Sequence, residues 1–209
     1  MSLVAALEGF LPRTLAFAVR DPRQHYPLIG REAEAVANAI EKRKTEFSAG
    51  RDAARAALSG LGHNDIEILV GPYRAPIWPD GFCGSITHSR EICIAGVARL
   101  ADIASIGIDA ERDMPLKDEL RSAILHESEL HVSGAEAIEL FSMKEALFKA
   151  LFPICGELMG FHAAKSDGNS GLVLTRQVGA YPEGSQFDVP TIHVSSHVIS
   201  QCIIEGVKQ

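Results

Sequence analysis

Two kinds of hydrophobic pattern alternate along the chain. Short, nearly continuous apolar runs predict buried strands: RTLAFAVR at 13–20, ILV at 68–70, ICIAGVAR at 92–99 and ASIGIDAE at 104–111. Residues 31–59 read instead as one or two alanine-rich helices, and further helices are predicted around 115–131 and 134–152. The Gly/Pro-rich stretch GPYRAPIWPDGFCG at 71–84 predicts a loop, from which SITHS leads into the 92–99 strand. The tail, 171–205, is strand-rich and closes on TIHVSS and VISQCIIE. No solenoid-type repeat interrupts this order. Both halves run from a helical region into strands, which predicts an α+β chain of two α/β halves, 1–104 and 105–209.

Composition narrows the class. The 209 residues, 46% hydrophobic and 22% charged, bury a core without help from disulfides or metal, and disorder is excluded as the main state. A net charge of −7 excludes a general nucleic-acid binder. That charge is segregated: residues 1–104 carry 12 basic and 12 acidic side chains, residues 105–209 carry 8 and 15. The opening MSLVAALEGFLPRTLAF has no basic n-region, and Glu8 and Pro12 break its apolar run. No stretch approaches the roughly 18 apolar residues of a membrane span. The four cysteines (83, 93, 155, 202) form no C-x-x-C pair, so a reduced, cytoplasmic protein is expected.

Two segments carry candidate chemistry in the acidic half. In IGIDAERD, Asp109 and Glu111 project from one face of a strand, about 6.6 Å apart along it. Such carboxylates suit Mg²⁺; a solvated acidic strand end is the plainer alternative. In LFSMKEALFKALF (140–152), Ser142, Glu145 and Lys149 form a narrow polar stripe on a helix, and Glu145 and Lys149 stand at ion-pair spacing. Lys144 falls in or beside the apolar arc and needs either to snorkel out or to find a buried anionic partner.

The neutral half offers cations. Lys42, Arg43, Lys44, Arg51 and Arg55 lie on a helical stretch interrupted by Gly50, with Arg51 and Arg55 on one face. Forked guanidinium groups suit a phosphomonoester, although such charges are ordinarily solvated. His88 in GSITHS stands at a strand mouth, where Ser85, Thr87 and Ser89 offer further donors to a phosphate. GFCGS is not a P-loop, because no G-K-[ST] follows. His193 and His197 can share a strand face but have no third ligand for zinc, and the remaining histidines have no identifiable partner.

Taken in order, GRDAARAAL, APIWPDGFCGSITHS, IGIDAE and FSMKEALFKAL resemble the 4′-phosphopantetheinyl transferases. Within them the resemblance is to the branch of the Sfp-type group that is similar to enterobactin synthetase component D. The motifs span residues 43–152, and it is their joint order and spacing that is specific. The resemblance implies two pseudo-twofold-related halves with the active site between them. It also implies Mg²⁺, or Mn²⁺ in its place, and coenzyme A as substrate. Asp109, Glu111 and Glu145 match the family's metal ligands. Lys149 matches the lysine on the pyrophosphate and leaving group, and Lys144 a second phosphate-contacting lysine. His88 matches the coenzyme A phosphate-binding histidine, Arg43 and Arg51 match basic residues near its 3′-phosphate, and Arg74 resembles a basic loop residue of this branch. Ala110 stands where a larger aliphatic residue is usual, which alters packing and leaves metal ligation intact. Trp78 fits the branch.

The implied reaction passes the phosphopantetheine arm to a serine of an apo acyl or peptidyl carrier, with release of 3′,5′-ADP. Glu145 is the expected base and Lys149 the group that stabilises the departing phosphate. Siderophore or other nonribosomal peptide pathways are the expected setting, and a monomer the expected form. Two rivals use the same residues: a coenzyme-A-binding or carrier-docking module without catalysis, and a metal-dependent phosphoanhydride hydrolase.

Overall fold

A computed structural model describes residues 2–64 and 66–206. Four α-helices are present among them: α1 (Leu3–Phe10), α2 (Glu41–Gly60), α3 (Asp118–Ile124) and α4 (Gly134–Cys155). Nine strands complete the set: β1 (Ala16–Arg20), β2 (Phe82–His88), β3 (Cys93–Arg99), β4 (Ile103–Arg112), β5 (Ala164–Ser166), β6 (Gly171–Leu174), β7 (Gln186–Asp188), β8 (Thr191–Val194) and β9 (His197–Glu205). They form three antiparallel three-stranded sheets in the orders β1-β3-β2, β4-β9-β8 and β5-β6-β7. The fold is α+β.

Strand alternation distributes the core. On β3, Ala95 and Val97 face Ala53, Ala54, Ala57 and Leu58 of α2, while Ile94 and Ala98 face the other way. There they meet Ile106, Ile108 and Ala110 of β4, Ile199 of β9 and Leu7 of α1, so this middle cluster joins the β1-β3-β2 and β4-β9-β8 sheets. The far face of the β4-β9-β8 sheet packs on Ala146, Leu147 and Ala150 of α4 through Val198 and Cys202. Helix α2 thus lies on the β1-β3-β2 sheet and α4 on the β4-β9-β8 sheet, and β3 and β4 are consecutive in the chain. All four cysteines are free; burial pushes the thiols of Cys83 up to about 11 and of Cys93 and Cys202 up to about 12. Among the described residues, no helix is long and apolar enough to cross a membrane.

Several elements depart from the pattern-based expectation. The opening residues form α1, capped by Ser2, whose hydroxyl accepts from the Ala5 amide at 3.3 Å. ILV at 68–70 makes only an isolated bridge, Val70 to Pro76, because no second strand lies alongside it. Gly50 does not interrupt α2; the helix runs through it, and the Ile86 side chain would stand 3.1 Å from a Cβ there. Residues 30–36 form a 3₁₀ segment before α2. The helix predicted to end at 152 continues through Pro153 to Cys155, since a proline in the last turn forfeits only one bond, to the Lys149 carbonyl.

Candidate functional site

The acidic cluster is set by how closely α4 approaches β4. A Cβ at Gly107 would overlap the Ala146 carbonyl oxygen and stand 2.7 Å from the Ala150 amide nitrogen. Only glycine admits the helix backbone at that distance, and the approach brings Glu145 and Lys149 over Asp109 two residues further along the strand. The capping box of Ser133 and Glu136 starts α4, and Gly156 (φ 63°) ends it. Lys149 does not pair with Glu145 one turn away. Its ammonium reaches across to Asp109 Oδ1 at 2.6 Å and donates to the Ile108 carbonyl at 3.3 Å.

Thr87 of β2 completes this junction. Its hydroxyl donates to Asp109 Oδ1 (3.2 Å), accepts from the Ala110 amide (3.2 Å) and lies 3.4 Å from Lys149 Nζ. Asp109 is 3% exposed, and its second oxygen, Oδ2, is buried without a partner. Burial, then the charge of Asp109, pushes the Glu111 carboxyl up to about 7. Burial likewise raises Glu145; Lys149 opposes this and Asp109 adds to it. Three mutually repelling oxygen acids in a poorly solvated cleft, one with an orphaned oxygen, are a donor set that fits a hard divalent cation such as Mg²⁺. As the side chains stand, no three His, Cys, Asp or Glu groups among the described residues converge tightly enough to hold one.

The cations gather on the other side of β2. Arg43, Arg51 and Arg74 line a single cavity of about 130 Å³ with Ala35, Val36, Phe47 and Val70. Arg51 is 5% exposed, and its guanidinium lies over the Phe47 ring, 4.3 Å from the centroid. Desolvation pushes it down to about 10. Arg43 is lowered too, first by desolvation and then by the charge of Arg74. The Nε atoms of Arg43 and Arg51 are both buried with no hydrogen-bond partner. Arg43 has one carboxylate nearby, Glu46 at 3.8 Å, and Arg74 is exposed, so the buried cation without a carboxylate at ion-pair distance among the described residues is Arg51. Three guanidinium groups around one cavity, two with unpartnered Nε atoms, suit an anion. Arg43 Nη1 lies 3.4 Å from His88 Nε2. Desolvation lowers His88; the charge of Glu46 opposes this, and those of Arg43 and Lys149 add to it. His88 therefore links the arginine cavity to the Lys149 end of the cleft.

Arg74 also borders a second, apolar cavity of about 330 Å³ walled by Tyr73, Trp78, Gly84, Phe148, Phe152 and Lys149. Tyr73 and Arg74 both adopt left-handed backbone (φ 53° and 68°), a strained geometry for residues with side chains. It sets Tyr73 edge-on to Phe152 at 5.6 Å while Arg74 faces the arginine cavity. A larger concavity, about 1000 Å³, lies elsewhere between Pro12, Leu100, Ile103 and Ile203; among the described residues its ionisable lining groups are Asp102 and Glu205, both acidic.

Not every expected residue joins the cleft. Lys144 is turned away, 1% exposed, with its ammonium 2.6 Å from Glu129 Oε2 and 3.0 Å from the Ile124 carbonyl. It has the buried anionic partner that its place in the apolar arc demanded and is not free for a phosphate. Arg55 diverges from Arg51 and pairs with buried Glu32 at 2.5 Å. The hydroxyls of Ser85, Thr87 and Ser89 are committed to the second half of the molecule and are not spare phosphate donors. Sequence reasoning missed Thr87 as the hub between Asp109 and Lys149. It also missed Phe47 under Arg51 and the wall of Tyr73, Phe148 and Phe152. Their only signal was the i, i+4 spacing of Phe47 with Arg51 and of Phe148 with Phe152.

A profile of the 4′-phosphopantetheinyl transferase N-terminal domain matches residues 31–98, and one of the 4′-phosphopantetheinyl transferase superfamily matches residues 105–202. The chain is 42% identical over 147 residues to 4′-phosphopantetheinyl transferase Svp of Streptomyces mobaraensis, covering 66% of this chain and 60% of that protein. It is 35% identical over 177 residues to 4′-phosphopantetheinyl transferase PptT of Mycobacterium tuberculosis, covering 78% of each. It is also 36% identical over 137 residues to enterobactin synthase component D of Salmonella typhimurium, covering 61% of this chain and 56% of the relative.

Proposed function

The chain belongs to the 4′-phosphopantetheinyl transferase superfamily, and from that premise we propose that it transfers the phosphopantetheine arm of coenzyme A to a serine of an apo acyl or peptidyl carrier. The observation that carries the reading is the pairing of an arginine cavity, in contact with His88 through Arg43, with the Lys149–Asp109 pair that borders an apolar cavity. The charge of Lys149 acts on His88, and those of Asp109 and Glu145 on Glu111.

A coenzyme A molecule is matched to this arrangement part by part. Its 3′-phosphate supplies an anion for the cavity that Arg43, Arg51 and Arg74 line, where Arg43 has only Glu46 at 3.8 Å. Its pyrophosphate lies along His88 and Lys149, and its pantetheine arm takes the apolar cavity. Asp109, Glu111 and Glu145 would hold Mg²⁺. When bound, that ion supplies Lewis-acid neutralisation of pyrophosphate charge. Lys149, held between Asp109 and the Ile108 carbonyl, then has a second anion to stabilise as charge builds on the leaving group.

The carrier serine hydroxyl attacks the phosphorus that bears the pantetheine arm. The new bond is serine oxygen to phosphorus, the broken one is the phosphoanhydride, and 3′,5′-ADP departs with the bridging oxygen. Glu145 takes the serine proton, directly or through water; burial has raised its basicity for that role. Lys144 has no part in this scheme, because its ammonium is committed to Glu129.

The test is intact-mass spectrometry of a panel of apo carriers incubated with the purified protein, Mg²⁺ and coenzyme A. Addition of one phosphopantetheine to a carrier is expected, and its abolition in Glu145→Gln with the fold retained. No addition on any carrier overturns the reading, and 3′,5′-ADP released from coenzyme A alone would make the protein a hydrolase.

A further inference from the structure

β2 has no backbone ladder with β4; the first sheet ends at β2 and the second at β4. Side chains at alternate positions along β2 take the ladder's place. Ser85 Oγ accepts from the Ile108 amide at 2.9 Å and Thr87 Oγ1 from the Ala110 amide at 3.2 Å. Ser89, the next residue of the same register, reaches His197, whose ladder partner on β4 is Arg112. The row therefore steps along β4 at 108, 110 and 112, joining the half that carries His88 and Arg43 to the half that carries Asp109 and Lys149.

The last rung has an unusual anchor. His197 is 4% exposed. Val194 pairs with His197 across a two-residue turn, in which Ser195 and Ser196 both have positive φ (51° and 60°). That is type I′ geometry, which Asn and Gly adopt readily and serine does not. Two bonds hold it: His197 Nδ1 donates to the Ser195 carbonyl at 2.8 Å, and the Asp113 amide donates to the Ser196 carbonyl at 2.9 Å. The other ring nitrogen, Nε2, faces Ser89 Oγ and, at 3.6 Å, the Glu91 carboxylate. Ser89 Oγ lies 2.8 Å from Nε2 and itself accepts from the Glu91 and Ile92 amides at 3.3 Å. The hairpin turn and His197 therefore share this one hydroxyl.

We propose that His197, acting through Ser89, is a positioning residue for His88: it holds the tip of the β2–β3 hairpin against the second half so that His88 meets the coenzyme A phosphates. The inference rests on the coenzyme A reading of the cleft. His197 touches no substrate, and its contribution is the placement of its neighbour's neighbour.

The experiment is an epistasis measurement on coenzyme A affinity and on the KM-against-kcat split. Ser89→Ala and His197→Phe are each expected to raise KM for coenzyme A about tenfold with kcat within about twofold, the pattern of lost uniform binding. In a His88→Ala background the same substitutions are expected to change KM by less than about twofold. A role confined to general stability predicts the same proportional loss in both backgrounds, and that result overturns the proposal. Because His197→Phe can misfold at the strained turn, Ser89→Ala carries the test by itself, leaving the His197 to Ser195 bond in place. An unchanged KM in Ser89→Ala also overturns it. If the wild type loads no carrier at all, it is the coenzyme A reading that has failed and not the clasp.

Discussion

Replacement of Arg51 by methionine is expected to stabilise the ligand-free protein and weaken its hold on coenzyme A at the same time. The guanidinium is 5% exposed, has no carboxylate within ion-pair distance among the described residues, and leaves Nε unpartnered. Desolvation lowers it from 12.5 to about 10. At 1.36 kcal/mol per pH unit, that is a penalty of about 3 kcal/mol for keeping the charge in this cavity. Because the folded pKa is depressed, the penalty is present at every pH below about 10 and fades only between there and 12.5. Methionine retains a stem to lie on Phe47 but forfeits the cation–π contact, about 1–2 kcal/mol. A net gain of about 1–2 kcal/mol remains, a rise of roughly 3–6 °C in Tm for a domain of this size. Against that, losing a charge-assisted bond to the 3′-phosphate costs about 1.5–3 kcal/mol, or roughly 10- to 150-fold in affinity. Thermal melts without ligand, with calorimetric titration of coenzyme A and dephospho-coenzyme A, read both effects. Dephospho-coenzyme A is expected to bind wild type and variant alike. A lower Tm in the ligand-free variant, or an equal loss for the two ligands, would refute the reasoning.

Three further substitutions probe the cleft. Gly107→Ala drives a methyl group into the α4 backbone at Ala146 and is expected to cost about 3 kcal/mol or more in urea denaturation; a variant within about 0.5 kcal/mol of wild type would show that helix and strand are not so closely locked. Glu111 has a folded pKa of about 7, above its ordinary 4.5, so the chelated protein binds the extra proton only when folded. Its stability is expected to fall by about 1–2 kcal/mol as pH rises from 5 to 8, discounted for partial solvent access. Differential scanning calorimetry in chelator checks this, and a slope that Glu111→Gln leaves unchanged counts against it. Lys144→Met strands the Glu129 carboxylate and is expected to cost about 3–5 kcal/mol, partly recovered in a Lys144→Met/Glu129→Gln double variant. Coenzyme A affinity of the folded fraction should be unchanged; a loss of tenfold or more would return Lys144 to the phosphate site.

Much of the scaffold was legible in the chain. Period-2 alternation put Asp109 and Glu111 on one face of β4 and Ile106, Ile108 and Ala110 on the other, and the 3.6-residue period put Glu145 and Lys149 on one stripe of α4. The misreadings share a cause. Residues 82–88 read as loop and motif because glycine and hydroxyl side chains dilute the apolar signal, yet in the fold those small residues are what let β2 lie against β4. The opening helix has no clear signal in the chain, because Pro12 follows closely and what stabilises α1 is a tertiary contact, the burial of Leu7 in the middle cluster.

What the sequence determined by itself was local: which residues share a face, where charge concentrates, and which segments cannot be exposed. Backbone geometry alone dictates those relations, so they hold before any long-range contact forms. Which charge meets which was decided only by the tertiary structure. Spacing offered Lys149 to Glu145, but the approach at Gly107 gave it to Asp109; Lys144 looked toward the cleft and was taken by Glu129. Arg43, Arg51 and Arg74 became one site because the strained turn at Tyr73 and Arg74 folds back over α2. A desolvated charge takes the nearest partner that satisfies it in space, and distance along the chain does not set that choice.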